Sequence, residues 1–215
     1  MVWAIVLSFI AAYLLGSLNT SVIVGKIKGV DIRKKGSGNA GMTNTLRVIG
    51  KKAAALVFVF DFVKTILALV VSIFIARAFD LANQDLLKYC QYIAAFGAVL
   101  GHNFPIYFGF KGGKGIVSSI AVILFLDYRI GIIIAVVCIS IMIITKYVSL
   151  GSVVGAILYP IFVIAFNTDF SDVCTRYYIL MAVAISLLAL YRHRANIQRL
   201  LKGTESKVGQ KKQEQ

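Results

Sequence analysis

The sequence predicts an all-α protein, a polytopic bundle of transmembrane helices. Three observations carry that prediction. Of 215 residues 59% are hydrophobic, only 15% are charged, and only two are proline. Mean hydropathy is +0.85. An ordinary globular domain carries about 25% charged residues. A soluble chain of this length has nowhere to hide so much apolar surface, so the bilayer has to be the solvent for much of it.

Seven apolar runs read as spans, at about 2–25, 53–77, 87–104, 112–127, 129–146, 149–166 and 174–192. The first has no basic segment ahead of it, because the first charged residue is Lys26. It reads as a retained span and not as a cleaved leader. The second carries Asp61 and Lys64 in its apolar interior. The third and fourth fall short of the roughly 20 residues that a spanning helix needs. Between them lies the polar stretch from His102 to Gly115, which a short flanking helix would place at the membrane boundary. The last three spans are continuous. Residues 1–200 read as one membrane domain, and the Lys- and Gln-rich residues 201–215 as a disordered cytoplasmic tail.

Charge orients the bundle. The net charge is +14, from 23 Lys and Arg against 9 Asp and Glu. One side holds the 26–52 loop, Lys111, Lys114, Lys146 and the basic C-terminal segment, with Asp31, Glu205 and Glu214 as its only acids. The other side holds Arg77, Lys88, Arg129 and Arg176 against Asp80, Asp85, Asp127, Asp169 and Asp172. The positive-inside rule then puts the N-terminus outside and the C-terminus in the cytoplasm. Basic residues confined to short loops between apolar spans argue against nucleic acid as a partner. The three cysteines, Cys90, Cys138 and Cys174, are odd in number and widely spaced, so they imply neither a disulfide framework nor a metal site.

Every glycine-rich or polar motif falls on the basic side. The first runs from Gly36 to Arg47 and includes Ser37, Gly38, Asn39, Gly41, Thr43 and Asn44. It formally matches GxGxxG, but a basic loop precedes it where a dinucleotide fold needs a strand. What remains is an anion site, with glycines that let amides approach and hydroxyl, amide and guanidinium donors beside them. The second is Lys111-Gly112-Gly113-Lys114-Gly115 at a helix start. Snorkelling would explain its lysines but not its glycines, each of which costs about 1 kcal/mol in helix propensity. The third, Lys146 to Ser152, contains Ser149 and Ser152, and alone reads as an interfacial turn. The fourth, Arg192 to Leu200, sets His193 and Asn196 three apart on one helix face; it reads equally well as a basic stop. Asp61 and Lys64 can pair, and ionisable groups inside a membrane read as functional by default. The histidines are isolated from cysteines and acids, so no metal is expected.

Taken in order, GSGNAGMTNTLR (36–47), DFVK (61–64), GHNFPIYFGFKGGKG (101–115), YVSLGS (147–152) and RHRANIQRL (192–200), followed by Gly203-Thr204-Glu205, resemble one family. It is the bacterial integral-membrane acyl-phosphate:glycerol-3-phosphate acyltransferases, and the motifs cover nearly the whole chain. The resemblance implies a multi-pass enzyme of the bacterial inner (plasma) membrane with its active site facing the cytoplasm. It would move a fatty acyl group from acyl phosphate to the sn-1 hydroxyl of glycerol 3-phosphate, the first step of phospholipid biosynthesis. Its partners would be these two substrates and membrane lipids, with no cofactor, no nucleic acid and no required protein partner.

In that frame Ser37, Arg47 and one of Lys111 or Lys114 are expected to hold the glycerol 3-phosphate phosphate. Asn39, Thr43, Asn44 and the Gly112, Gly113 and Gly115 amides cradle the acyl phosphate, with Gly38 and Gly41 shaping the loop. Ser149 and Ser152 add hydroxyl donors. His193 and Asn196 position the acceptor hydroxyl, with either His193 or a substrate phosphate as base. Asp61, Lys64 and His102 complete the expected substrate-binding set. An organic-phosphate transporter would use similar loops, but it usually binds near the bilayer midplane and in repeated halves, and no repeat is seen here. A non-catalytic scaffold leaves Asp61, Lys64 and the glycine motifs without a reason.

Overall fold

The computed structural model describes residues 1–207, and every regular element among them is helical. The α-helices are α1 (Val2–Gly16), α2 (Thr20–Ile27), α3 (Met42–Val48), α4 (Lys51–Phe79), α5 (Gln84–Asn103), α6 (Ile116–Leu126), α7 (Tyr128–Thr145), α8 (Val148–Phe166) and α9 (Val173–Leu201). One-turn 3-10 helices at Ile32–Lys34 and Ile106–Phe108 shape the two glycine-rich loops.

Five segments are long and apolar enough to cross a membrane: Val2–Ile27, α4, α7, α8 and α9. Helices occur at all seven expected places, with two corrections. The first run is interrupted at residues 17–19 and restarts as α2. The fourth is only 11 residues long, because residues 112–115 belong to the loop before it.

Small residues set the tightest contact. The buried positions of α1 are Ala4, Ser8, Ala12 and Gly16, four apart along one ridge. Ala12 and Gly16 meet Ala94, Gly97, Ala98 and Gly101 of α5, all buried, and Ala4 packs with Leu86 and Cys90 of the same helix. A Cβ on Gly16 would run into the backbone of Ala98, and one on Gly101 into that of Tyr13. In lipid there is no hydrophobic drive between helices, so close backbone approach along small-xxx-small ridges does the work of association. The α7–α8 contact uses the same device, with Gly151 and Gly155 set against Cys138 and Met142.

The interruption in the first run has a chemical consequence. Stopping a helix frees carbonyls that no water in a bilayer core can satisfy. Ser17 Oγ donates to the Tyr13 carbonyl at 2.8 Å, and the Asn19 side chain caps α2 by accepting from the Val22 N–H at 3.1 Å. The Leu18 carbonyl is satisfied from another helix, by Lys64 Nζ at 2.7 Å.

Within residues 201–207, expected to begin a disordered tail, residues 201–204 are exposed but Glu205 folds back onto the bundle. Glu205 is buried, and its carboxylate accepts from Ser149, Asn196 and Arg199. The remainder of that expected tail, 208–215, lies outside the described residues.

Candidate active site

Three segments far apart in sequence meet at one end of the bundle. They are the 33–39 loop, the 110–114 loop and the last three turns of α9. Together they enclose a polar cleft of about 350 Å³, lined by Arg33, Ser37, Gly38, Asn39, Phe110, Lys111, Gly112, Lys114, Arg192, Ala195, Asn196 and Arg199. Five of these side chains are cationic. Arg33 and Arg199 are paired, with Asp31 at 3.0 Å and Glu205 at 2.7 Å. Lys111, Lys114 and Arg192 form no ion pair among the described residues. A small space with excess positive charge and exposed loop backbone is a site for an anion.

Lys114 enters from the α6 side and donates to Asn196 Oδ1 across the cleft. Burial pulls its ammonium down to about 8, with the cations Arg199, Arg192 and Arg47 adding to the shift and Glu205 opposing it. A lysine charged below this value and neutral above it sets a limit on anion binding. Since kcat/KM reports the free enzyme, its alkaline limb is expected near pH 8. Lys114→Arg, which stays charged, should move that limb upward. A pH profile of kcat/KM on both forms checks this, and an unmoved limb would assign the titration to another group.

Beneath the polar cleft lies a second space, an apolar cavity of about 50 Å³ between α6, α7, α8 and α9. Its lining includes Ile116, Ser119, Ile120, Ile123, Cys138, Ser152, Gly155, Tyr159, Ser186 and Ala189. The two spaces run end to end along two shared elements. On α9, Ile185, Ser186 and Ala189 line the cavity, and Arg192, Asn196 and Arg199 line the cleft. At the other wall Lys114 faces the cleft and Ile116 the cavity.

His193 is 3% exposed and lines neither space; along α9 it lies four residues after Ala189 of the cavity wall and three before Asn196 of the cleft wall. Its Nδ1 lies 2.8 Å from the Ala189 carbonyl. A carbonyl only accepts, so Nδ1 carries the proton and Nε2 of the neutral ring keeps its lone pair.

The expected site residues divide accordingly. Ser37, Gly38, Asn39, Lys111, Gly112, Lys114 and Asn196 line the cleft. Arg47 is exposed on α3 and contributes its charge to Lys114 without lining the space. Thr43 is half-buried on α3, and Gly41 caps that helix. Gly115 caps α6 in the left-handed region, at φ 78°, which lets the loop turn into the helix.

Several expectations change role. Asn44 has no donor left for a ligand: its amide donates to the Ile32 and Lys35 carbonyls at 3.0 Å each, and its oxygen accepts from the Ser37 N–H at 2.8 Å. It shapes the 33–39 loop. The Gly113 N–H is occupied by the His102 carbonyl at 3.1 Å. Ser149 Oγ donates to Glu205 at 2.8 Å. Ser152 Oγ donates to the Val148 carbonyl at 2.9 Å and faces the apolar cavity.

Asp61, Lys64 and His102 do not line the cleft. They form a buried network behind the glycine loop. Lys64 Nζ reaches Asp61 Oδ1 at 2.8 Å, the Leu18 carbonyl at 2.7 Å and His102 Nδ1 at 3.2 Å. Thr20 Oγ1 donates to Asp61 at 3.0 Å. The three ammonium donors are thereby matched to three acceptors.

Sequence reasoning did not single out Arg33, Phe110, Arg199 or Glu205 for the site. It left the motif holding Arg192 open between a functional helix face and the basic stop of a span. The order R-x-x-x-N-x-x-R at 192–199 was the available signal, since spacings of four and three keep all three residues on one helix face.

A cationic cleft beside an apolar cavity, at the end of a bundle of membrane-length helices, is the arrangement of a membrane protein with an anion site next to an apolar space. The comparisons with known proteins agree. The chain belongs to the glycerol-3-phosphate acyltransferase family, whose model matches residues 6–203. It is 44% identical over 213 residues to the glycerol-3-phosphate acyltransferase of Clostridioides difficile (strain 630), covering 99% of each chain. It is 41% identical to that of Halalkalibacterium halodurans, covering 95% of each. Its fold is similar to crystal structures of PlsY (YgiH), an integral membrane glycerol 3-phosphate acyltransferase. The TM-score is 0.80 for the glycerol 3-phosphate form and 0.78 for the lysophosphatidic acid form, each at 35% identity over 95% of both chains.

Proposed function

We propose that this chain transfers a fatty acyl group from acyl phosphate to the sn-1 hydroxyl of glycerol 3-phosphate, releasing lysophosphatidic acid and inorganic phosphate. The end-to-end arrangement of a five-cation cleft and an apolar cavity carries this reading. Both substrates bear phosphate, and one also bears a fatty chain. The cleft matches the charged heads of donor and acceptor, and the cavity matches the start of the acyl chain. The PlsY structures solved in glycerol 3-phosphate and lysophosphatidic acid forms support the acceptor and the product.

In the proposed reaction the sn-1 oxygen attacks the acyl carbonyl carbon. The carbon–oxygen bond to phosphate breaks, and phosphate leaves with that electron pair. The hydroxyl proton passes to His193 Nε2. Lys111 and Lys114 offset the charge on the phosphates, with Ser37, Asn39 and Asn196 as donors beside them. Arg47 extends the positive field at the rim. Because acyl phosphate is already activated, orientation and charge stabilisation suffice, without a covalent enzyme intermediate.

For the membrane we propose seven crossings in one domain, N-terminus outside and C-terminus cytoplasmic, in a bacterial inner or plasma membrane. The gathering of the basic loops at the cleft end supports this orientation by the positive-inside rule. In this arrangement α5 and the short α6 with its glycine loop supply the third and fourth crossings, and the cleft opens to the cytoplasm.

The test is phosphate release by the purified, detergent-solubilised protein given palmitoyl phosphate, with and without glycerol 3-phosphate. Release that requires both, with lysophosphatidic acid formed and palmitoyl-CoA inert, is the expected result. A folded sample with no turnover sinks the reading, and organic-phosphate uptake by the same protein in liposomes would then identify a transporter.

A further inference from the structure

Arg192 reaches from α9 across the cleft floor and takes two successive carbonyls of the glycine loop. Its Nη2 donates to the Gly112 oxygen and its Nε to the Gly113 oxygen, both at 3.0 Å. Its guanidinium carbon lies 5.1 Å from the centre of the Phe104 ring. The planar group is thus held against an aromatic face while two donors of its fork grip neighbouring peptides.

In a trans peptide the N–H points opposite to the C=O it shares a plane with. With the Gly112 carbonyl turned to Arg192, the Gly113 N–H points the other way, and there it meets the His102 carbonyl at 3.1 Å. With the Gly113 carbonyl turned to Arg192, the Lys114 N–H is likewise turned away from it. The N–H groups of Lys114 and Gly115 donate to no acceptor among the described residues. The loop has no room to shift. A Cβ on Gly113 would collide with His102 Nε2 and come within 2.8 Å of the Ala40 carbonyl, and one on Gly112 would meet His102 and Pro105.

We infer that Arg192 is a positioning residue that acts on the bound phosphate through the glycine loop. By holding the Gly112 and Gly113 carbonyls it keeps two repulsive dipoles off the anion and leaves the amide of Lys114, a residue of the cleft lining, free for a phosphate oxygen. Lysine cannot replace it, because a single ammonium neither spans two carbonyls in one plane nor stacks on Phe104. The catalytic part of this inference rests on the acyl-transfer reading above.

The test is a double-mutant cycle of Arg192→Lys with Gly113→Ala. Two readouts are taken: inorganic phosphate binding by titration calorimetry, and kcat and KM with palmitoyl phosphate and glycerol 3-phosphate. Each single change is expected to weaken phosphate binding and to lower kcat/KM by up to roughly 100-fold, the scale of a loop misplaced by about an ångström. The double variant is expected to be no worse than the worse single one, because both act on the same loop. Losses that multiply would make Arg192 an independent ligand and overturn the inference, as would an Arg192→Lys protein within twofold of wild type. Arg192→Gln, run through the same cycle, decides the matter if the lysine variant fails to fold. A wild type that binds phosphate but does not turn over would sink the acyl-transfer reading, and the phosphate-binding cycle would still decide the role of Arg192.

Discussion

Replacing His193 by glutamine is expected to lower kcat by roughly 10²- to 10⁴-fold, the range that a positioned general base contributes. The ring is held at one nitrogen only. Nδ1–H is engaged by the Ala189 carbonyl at 2.8 Å, so the tautomer is set and Nε2 is the nitrogen left to accept a proton. Along α9 the residue lies between Ala189, which lines the apolar cavity, and Asn196, which lines the polar cleft, and in the proposed reaction the acyl carbonyl of the donor meets the acceptor hydroxyl between those two spaces. Glutamine preserves bulk and hydrogen bonding but cannot take a proton at that point. The measurement is steady-state turnover of purified His193→Gln beside wild type. A loss below about tenfold, with KM unchanged, would assign the proton to a substrate phosphate and leave His193 as an orienting group.

The largest expected effect on stability is at Lys64. Its ammonium is buried and donates to the Asp61 carboxylate, the Leu18 carbonyl and the His102 ring. Lys64→Met leaves Asp61 charged and unpaired in the bundle and the Leu18 carbonyl without a donor. Breaking one side of a buried pair in this way costs about 3–5 kcal/mol. On a chain of this size that lowers the unfolding midpoint by roughly 6–20 °C. Asp61→Asn should cost less, because Lys64 keeps its other two acceptors. The double variant Asp61→Asn with Lys64→Met should recover part of the loss, since no lone charge remains. Cys90, Cys138 and Cys174 are all buried, so their labelling by a thiol-reactive dye on heating reports unfolding directly. If Lys64→Met unfolds within 2 °C of wild type, the pair does not hold the helix break together.

These two sites mark where a linear reading succeeds and where it stops. The membrane class follows from composition, with 59% hydrophobic residues and 15% charge, and its helical form from apolar runs of spanning length. The motif loops are visible in sequence because glycines and donors have no other reason to cluster between spans. Cleft residues such as Ser37, Lys111, Lys114 and Asn196 could therefore be chosen in advance. Asn44 could not be sorted from its neighbours, since a ligand donor and a loop-shaping donor look the same until their partners are known.

What pattern and charge settle here is local and one-dimensional: which segments prefer lipid, and which loops carry donors for an anion. What folding adds is pairing over distance. The break between α1 and α2 gives Lys64 its purpose, a carbonyl 46 residues away in sequence. Glu205 comes to support Asn196 and Arg199 of the site because the chain turns back after α9 to meet Ser149. For Arg192 the choice between a functional face and a basic stop is made once the glycine loop lies across it. Each is a polar group whose partner lies on a segment distant in sequence. In a bilayer every such group must find a partner inside the protein, and only the packed helices show which one it finds.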